Sequence, residues 1–312
     1  MFHLTIKPKG TLCRLTSLIF AASLILCLNL WFELFERLTE RLTDSACSQP
    51  LNPTNLTTAT DAFAMLEPFP ICIGILAYDG KQTLEETLRS FSDSGLFSAV
   101  KKALIHFQKI DSPARQQWME AVLLDHPALQ ATFTFENIEF EGFLRMAKRC
   151  QEEYFITIEE DFKIVPENYH LLSIQISSAI AMVQGGTAAI FLRSRSIPGL
   201  PDYAKQSFER GELGKQFLLD HSTWNYDAER DFHEISQCRE TPKYWCASTR
   251  HASFTNNPVL YKTSFYVNLL ERSTSLRYKD IEPTITKHWK ALNLTVSRSL
   301  GIFTHERIDR WA

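Results

Sequence analysis

The sequence lacks the glycine signatures of three common α/β enzyme classes. No Gly-x-x-x-x-Gly-Lys-Ser/Thr element occurs, which argues against a P-loop nucleotide triphosphatase, and no Gly-x-Ser-x-Gly elbow marks an α/β hydrolase. Its first strand candidate runs into Ala77-Tyr78-Asp79-Gly80 instead of Gly-x-Gly-x-x-Gly, which sets aside a dinucleotide oxidoreductase. The His-Glu step at His233 has no second histidine four residues on, so it is not a zinc-protease motif. Charge of one sign is also scarce. With 33 Lys and Arg against 36 Asp and Glu the net charge is -3, which gives no reason to expect nucleic acid as a partner. There is no internal repeat and no long low-complexity tract.

What is present begins with an uncharged run of 18 residues, Leu15 to Phe32, long enough to span a bilayer as a helix. A cleaved signal peptide is the competing reading. No small-x-small site follows the run, since Glu33, Leu34, Phe35 and Glu36 come next, so an uncleaved anchor is favoured. Lys7, Lys9 and Arg14 precede the run and keep the short N-terminus cytosolic, giving a single-pass type II membrane protein whose body faces the Golgi or ER lumen. The expected organisation is a tail at 1–14, an anchor at 15–32, a polar stem at 33–68 and one compact domain at 69–312. Sequons at Asn55 and Asn293 fit a lumenal body. Cys238 and Cys246 are close enough to close a short disulfide loop there, and their spacing fits no zinc knuckle. Cys47, Cys72 and Cys150 read equally well as buried thiols or as bridged.

From Ile71 onward, apolar runs alternate with amphipathic segments. ICIGILAY, AVKKALIHFQ, ATFTFEN, YFITIEED and TAAIFLRSR read as strands, and DGKQTLEETLRSFSDSG, SPARQQWMEAVLLDH, EFEGFLRMAKRCQEE and ENYHLLSIQISSAIAMV as helices. Strands apolar on both faces and separated by helices predict an α/β fold, a mostly parallel sheet with helices on both sides. The second half is less regular. It holds a polar run from about 203 to 239, a turn-rich TRHASFTNNPV, helices near Thr263–Leu270 and Pro283–Leu292, and a late strand, LTVSRSLGIF.

The most water-avoiding strand, Ile156-Thr157-Ile158, ends on Glu159-Glu160-Asp161. Ligands of parallel α/β sheets bind at the carboxyl ends of the strands, and carboxylates there suit Mg²⁺ or Mn²⁺ shared with phosphate oxygens. A plain cap on the following segment is the simpler reading.

The order of ICIGILAYDGKQTLEETLRSF, FENIEFEGFLRMAKRC and EYFITIEEDFKIVPENY resembles the nucleotide-sugar half of GT-A-fold glycosyltransferases, in the style of family 2 and of the N-acetylglucosaminyltransferase I group. The resemblance covers roughly residues 69 to 195, and Glu-Glu-Asp departs from the family's DxD or EDD element. It implies a GT-A-like, Rossmann-like domain that moves a sugar from a nucleotide-sugar donor to a glycan, protein or lipid hydroxyl. Donor contacts would fall on Ala77, Tyr78, Asp79, Asn137, Gly142, Glu159 and Glu160, with Asp161 as direct metal ligand and His305 completing the shell. Arg193 and Arg195 end a strand and could neutralise the diphosphate, or be surface residues. Asp280 and Glu282 resemble the acids ahead of the late helix in inverting enzymes, with Glu282 slightly favoured as general base; a helix N-terminal acid pair is the alternative. Trp245, Asn256 and Asn257 suit an acceptor loop, or a surface turn over a buried tryptophan. A membrane-anchored binding protein on a degenerate scaffold is the rival from another class. Convergence of Asp161, Glu282 and His305 would separate the two.

Overall fold

The computed structural model describes residues 67–194, 197, 199, 234–273 and 281–309. The expected tail, anchor and nearly all of the stem, most of the polar run, and Arg195 and Asp280 lie outside the described residues. Among those described, no helix is long and apolar enough to cross a membrane.

Strand β1 (Phe69–Ala77) is buried from Ile71 onward, as its unbroken apolar sequence requires of a strand covered on both faces. Its alternate residues divide between two cores. Ile71, Ile73, Ile75 and Ala77 enter one, whereas Cys72 and Leu76 enter the other. Helix α1 (Lys81–Asp93) buries Leu84, Leu88 and Phe91, one apolar stripe at helical spacing. It stops at Ser94, and Gly95 follows at φ 77°, a left-handed conformation that glycine adopts without strain. A short α2 (Leu96–Ala99) leads to β2 (Val100–Phe107). Helix α3 (Pro113–Asp125) is capped by the Ser112 hydroxyl, which accepts from the Arg115 amide, with proline in its first turn. Then come β3 (Gln130–Phe133), α4 (Glu139–Arg149), β4 (Tyr154–Glu159), β5 (Phe162–Ile164), a 3-10 turn (Pro166–Leu171), α5 (Leu172–Gln184) and β6 (Ala189–Arg193). The remainder is β7 (Ser236–Arg239), β8 (Tyr244–Ser248), β9 (Val259–Lys262), α6 (Thr263–Ser273), α7 (Ile281–Leu292) and β10 (Thr295–His305).

The strands form one sheet of ten in the order β3-β2-β1-β4-β9-β6-β10-β8-β7, with β5 pairing β10. The expected parallel sheet holds for β3-β2-β1-β4 and for β6–β10. It does not hold elsewhere: β9 runs antiparallel between β4 and β6, and β5, β7 and β8 pair antiparallel as well. The sheet is therefore mixed. β8 follows β7 through a tight turn, which can join only antiparallel neighbours, and a parallel neighbour needs a long crossover.

Cys238 and Cys246 are disulfide-bonded and join β7 to β8, with Cα atoms 5.7 Å apart. Cys72 and Cys150 are buried free thiols. The hydrogen bond with the Cys150 thiol, and then burial, hold the Cys72 thiol far above the usual range.

Candidate active site

The acidic triplet leaves β4 at the sheet edge where β1 also ends. Its middle residue, Glu160, is 1% exposed and turns back toward the β1–α1 loop. One carboxylate oxygen accepts from the Tyr78 amide at 2.6 Å, and the other from the Asp79 and Gly80 amides at 3.1 and 2.9 Å. The Thr87 hydroxyl donates to the Glu160 carbonyl at 2.6 Å. Burial pushes the Glu160 carboxyl up to about 7, against the pull of the Tyr78 amide, Arg307 and the Asp79 amide. Glu160 thus shapes the loop that Ala77, Tyr78 and Asp79 form. It is a positioning group, and its expected role as a donor contact is corrected accordingly.

Asp161 points toward the end of β10. Its Oδ2 lies 3.1 Å from His305 Nε2 and 3.1 Å from the guanidinium of Arg307. Burial works against the Asp161 charge, but the hydrogen bond and charge of His305, with Arg307, outweigh it and hold the carboxyl below the usual range. Arg307 also donates to Asp79 Oδ1 at 2.6 Å and reaches Glu160 at 3.5 Å. Burial acts against its charge too, and the three acids more than compensate. The position of His305 is set by β10, whose antiparallel register places it opposite Phe162, with the two rings edge to face at 4.9 Å.

Across the same edge, Glu282 in the first turn of α7 accepts from the Thr255 hydroxyl at 2.7 Å and the Asn256 amide at 2.6 Å, both on one oxygen. The Asn256 side chain, 4% exposed, reaches Glu139 at 3.5 Å from the start of α4. Glu159, half-buried, is the last residue of β4. Burial and the charges of Asp161, Glu139 and Glu282 push its carboxyl well above the usual carboxylate range, so all four acids act on one region.

A divalent cation can be tested against these residues. Asp161 Oδ1 is buried and has no hydrogen-bond partner among the described residues, so this carboxylate retains capacity for a further ligand; His305 Nδ1 is likewise unpartnered, on the ring edge away from Asp161. Among the described residues no group of three or more His, Cys, Asp or Glu could hold a metal alone. Two protein ligands fit a cation that takes the rest of its shell from phosphate oxygens and water.

Other expectations fare differently. Gly142 lies within α4, where an added Cβ would stand 2.6 Å from Leu76 Cδ1 and 2.7 Å from His106 Cδ2, so it is a packing glycine against β1 and β2 and not a donor contact. Arg193 is buried, and its guanidinium donates to Asn257 Oδ1 at 3.3 Å and to the Gly199 carbonyl at 2.5 Å. It ties two loops together. Trp245 is buried within β8 under the Lys243 ammonium, 4.7 Å from its ring centre, which makes it a core residue and not an acceptor platform. Asn257 donates to Thr255 Oγ1 at 2.6 Å and organises the loop that holds Glu282. Asn137 sits just ahead of α4, its Oδ1 buried and without a partner among the described residues.

Glu139, Thr255 and Arg307 were not singled out from sequence. Arg307 was within reach: in the extended segment past His305, residues two apart face one way, which aligns His305, Arg307 and Asp309. A separate cavity of about 460 Å³, bounded in part by Cys150, Glu153, Lys262 and Asn268, lies at the opposite end of β4 from Glu159.

No protein-family model matches the chain, and no curated protein matches it. Among solved structures, TarS 1–349 of S. aureus is 9% identical with a TM-score of 0.46, covering 76% of this chain and 60% of that one. GalNAc-T7 with UDP, GalNAc and Mn²⁺ is 9% identical with a TM-score of 0.47, covering 77% and 44%. The mannosyltransferase PcManGT from Pyrobaculum calidifontis with GDP-Man and Mn²⁺ is 11% identical with a TM-score of 0.42, covering 77% and 62%. The chain spans less than two thirds of the length of each.

Proposed function

We propose that this protein is a glycosyltransferase with a GT-A-like domain, which uses a nucleotide-sugar donor and a divalent cation, Mn²⁺ or Mg²⁺, and inverts the transferred centre. One observation carries the reading. Asp161 Oδ2 lies 3.1 Å from His305 Nε2, which supports a shared cation site for two of the three residues named for an active enzyme.

Each residue has a role that its contacts support. Asp161 and His305 would hold the cation, whose chemistry when bound is to neutralise the diphosphate that leaves. The loop at Tyr78 and Asp79, fixed by Glu160, would receive the donor. Glu282, with one oxygen fixed by Thr255 and Asn256, would accept the proton of the acceptor hydroxyl at its other oxygen. Glu139 and Asn256 flank it on the acceptor side. The type II anchor at 15–32 and a Golgi or ER location belong to the same proposal. They rest on the sequence, and the Cys238–Cys246 bridge supports an oxidising compartment.

The test is thermal stability of the full chain in detergent with UDP, GDP or CMP and their sugars, each with and without Mn²⁺. A ligand that binds only the native state raises its stability, by about 2.7 kcal/mol at a hundredfold excess over Kd. A rise with one nucleotide that needs Mn²⁺ is expected and names the donor class. No rise with any of them, in folded protein, would leave the acids as a strand-end cap and favour the binding-protein alternative.

A further inference from the structure

Beyond β10 the chain continues as a strap, 306–309, laid over the same strand ends. The Glu306 amide donates to the Asp161 carbonyl at 2.7 Å, and the Lys163 ammonium pairs with the Glu306 carboxylate at 2.9 Å. The Ile308 and Asp309 amides donate to Thr83 Oγ1 at 3.0 and 3.2 Å. The strap therefore reaches from β4 to the first turn of α1.

It carries two charges of opposite sign, each on a complementary group. Arg307 sets its guanidinium on Asp79, Glu160 and Asp161. Asp309 sets its carboxylate on the start of α1, where Oδ2 accepts from the Gln82 amide at 2.9 Å and Oδ1 from the Thr83 amide and hydroxyl, both at 2.8 Å. Those amides are the donors that a helix leaves unsatisfied at its N-terminus, where an anion is favoured. One strap thus presents a cation to the acids and an anion to the amides, the charge pattern of a metal ion beside a phosphate.

We infer that the strap is a self-ligand, and that Arg307 competes with a divalent cation for Asp161 while Asp309 holds the strap closed on α1. This rests on the metal site proposed above. A cation bonded to Asp161 stands close to a guanidinium of the same sign on the same carboxylate, so each weakens the other. Linkage makes the effect reciprocal: the bound cation weakens the strap by the same factor as the closed strap weakens the cation, so a change that loosens the strap tightens the cation.

The experiment is Mn²⁺ binding to the full chain in detergent, by calorimetry and by the EPR signal of free Mn²⁺, alone and with inorganic pyrophosphate. The chains compared are the parent, Arg307→Gln and Asp309→Asn. Arg307→Gln should lower the Mn²⁺ Kd at least tenfold, and Asp309→Asn severalfold, with pyrophosphate binding also tighter in Asp309→Asn because the competing negative charge at those amides is gone. Asp309→Asn leaves Arg307 and all three acids in place, so it decides the question alone should Arg307→Gln fail to fold. Mn²⁺ bound with the same Kd by parent and variants would overturn the competition while leaving the metal site standing. No Mn²⁺ binding by any folded chain would overturn the metal site itself, and the competition with it.

Discussion

The Asp161 carboxylate and the His305 imidazole meet at 3.1 Å, although one follows β4 and the other ends β10, far apart in the sequence. That separation suits two ligands of one cation, because bonds of about 2.1 Å at right angles put the ligand atoms about 3 Å apart. The same Asp161 oxygen also accepts from Arg307 Nε at 3.1 Å. One carboxylate oxygen therefore holds both His305 and Arg307.

Asp161→Asn tests its place in the proposed metal shell. The amide keeps the shape but loses the charge, so Mn²⁺ binding by calorimetry should fall below detection. The variant should also lose roughly 1–3 kcal/mol in urea unfolding, because Arg307 and His305 lose a charged, buried partner. Undiminished Mn²⁺ affinity would remove Asp161 from the metal shell.

Glu282→Gln separates donor binding from transfer. Its remaining carbonyl oxygen can still accept from Thr255 and Asn256, so the loop at 255–257 should keep its position. Nucleotide binding should match the parent, and kcat should fall on the order of 10²–10⁴-fold, the range for loss of a general base. Transfer at the parent rate would rule Glu282 out as the base.

The first half of the fold was legible because its signals are long and redundant. β1, β2 and β4 are apolar runs separated by helices with clear stops, such as Ser112 ahead of α3 and Gly95 after α1. β5, β7, β8 and β9 were missed: strands of three to five residues show no period, and unlike the equally short β3 and β6 they do not follow a legible helix. The site divided the same way. Asp161, His305 and Glu282 stand at the strand and helix ends that the sequence pattern shows. Glu160 could not be told from Glu159, because which carboxylate turns to the loop amides depends on packing around β1 and α1. Arg193, Trp245 and Gly142 have residue types that suit a ligand, and only the tertiary structure shows them occupied by the protein itself.

Gly142→Ala follows from that last point. The added methyl meets Leu76 and His106 well inside van der Waals contact, at the seam between α4 and the sheet. Destabilisation of about 1–3 kcal/mol is expected, the cost of overpacking, in urea unfolding. Nucleotide binding per folded molecule should be unchanged. A selective loss of nucleotide affinity with stability intact would restore Gly142 to the donor site.

Glu160 predicts a pH dependence whose sign can be worked out. Its carboxyl is raised in the folded state from 4.5 to about 7, chiefly by burial. Below pH 4.5 both states hold the proton. Between 4.5 and 7 the unfolded chain releases it while the folded chain retains it, so stability declines as pH rises, by about 3 kcal/mol at most, and levels off above 7. Asp161 acts with the opposite sign and in a separate window: its carboxyl is depressed, so its contribution is lost as pH falls below 3.8. Glu160→Gln cannot titrate, and Asp161 is ionised in both the folded and the unfolded chain across this window. The stability of Glu160→Gln relative to the parent should therefore improve steadily between pH 4.5 and 7 in urea unfolding at closely spaced pH values. The three amides and Arg307 pull the other way, toward an ionised carboxylate. If they prevail, the variant will be less stable than the parent by one constant amount across the whole window, and Glu160 will be an anion that fixes the loop at neutral pH.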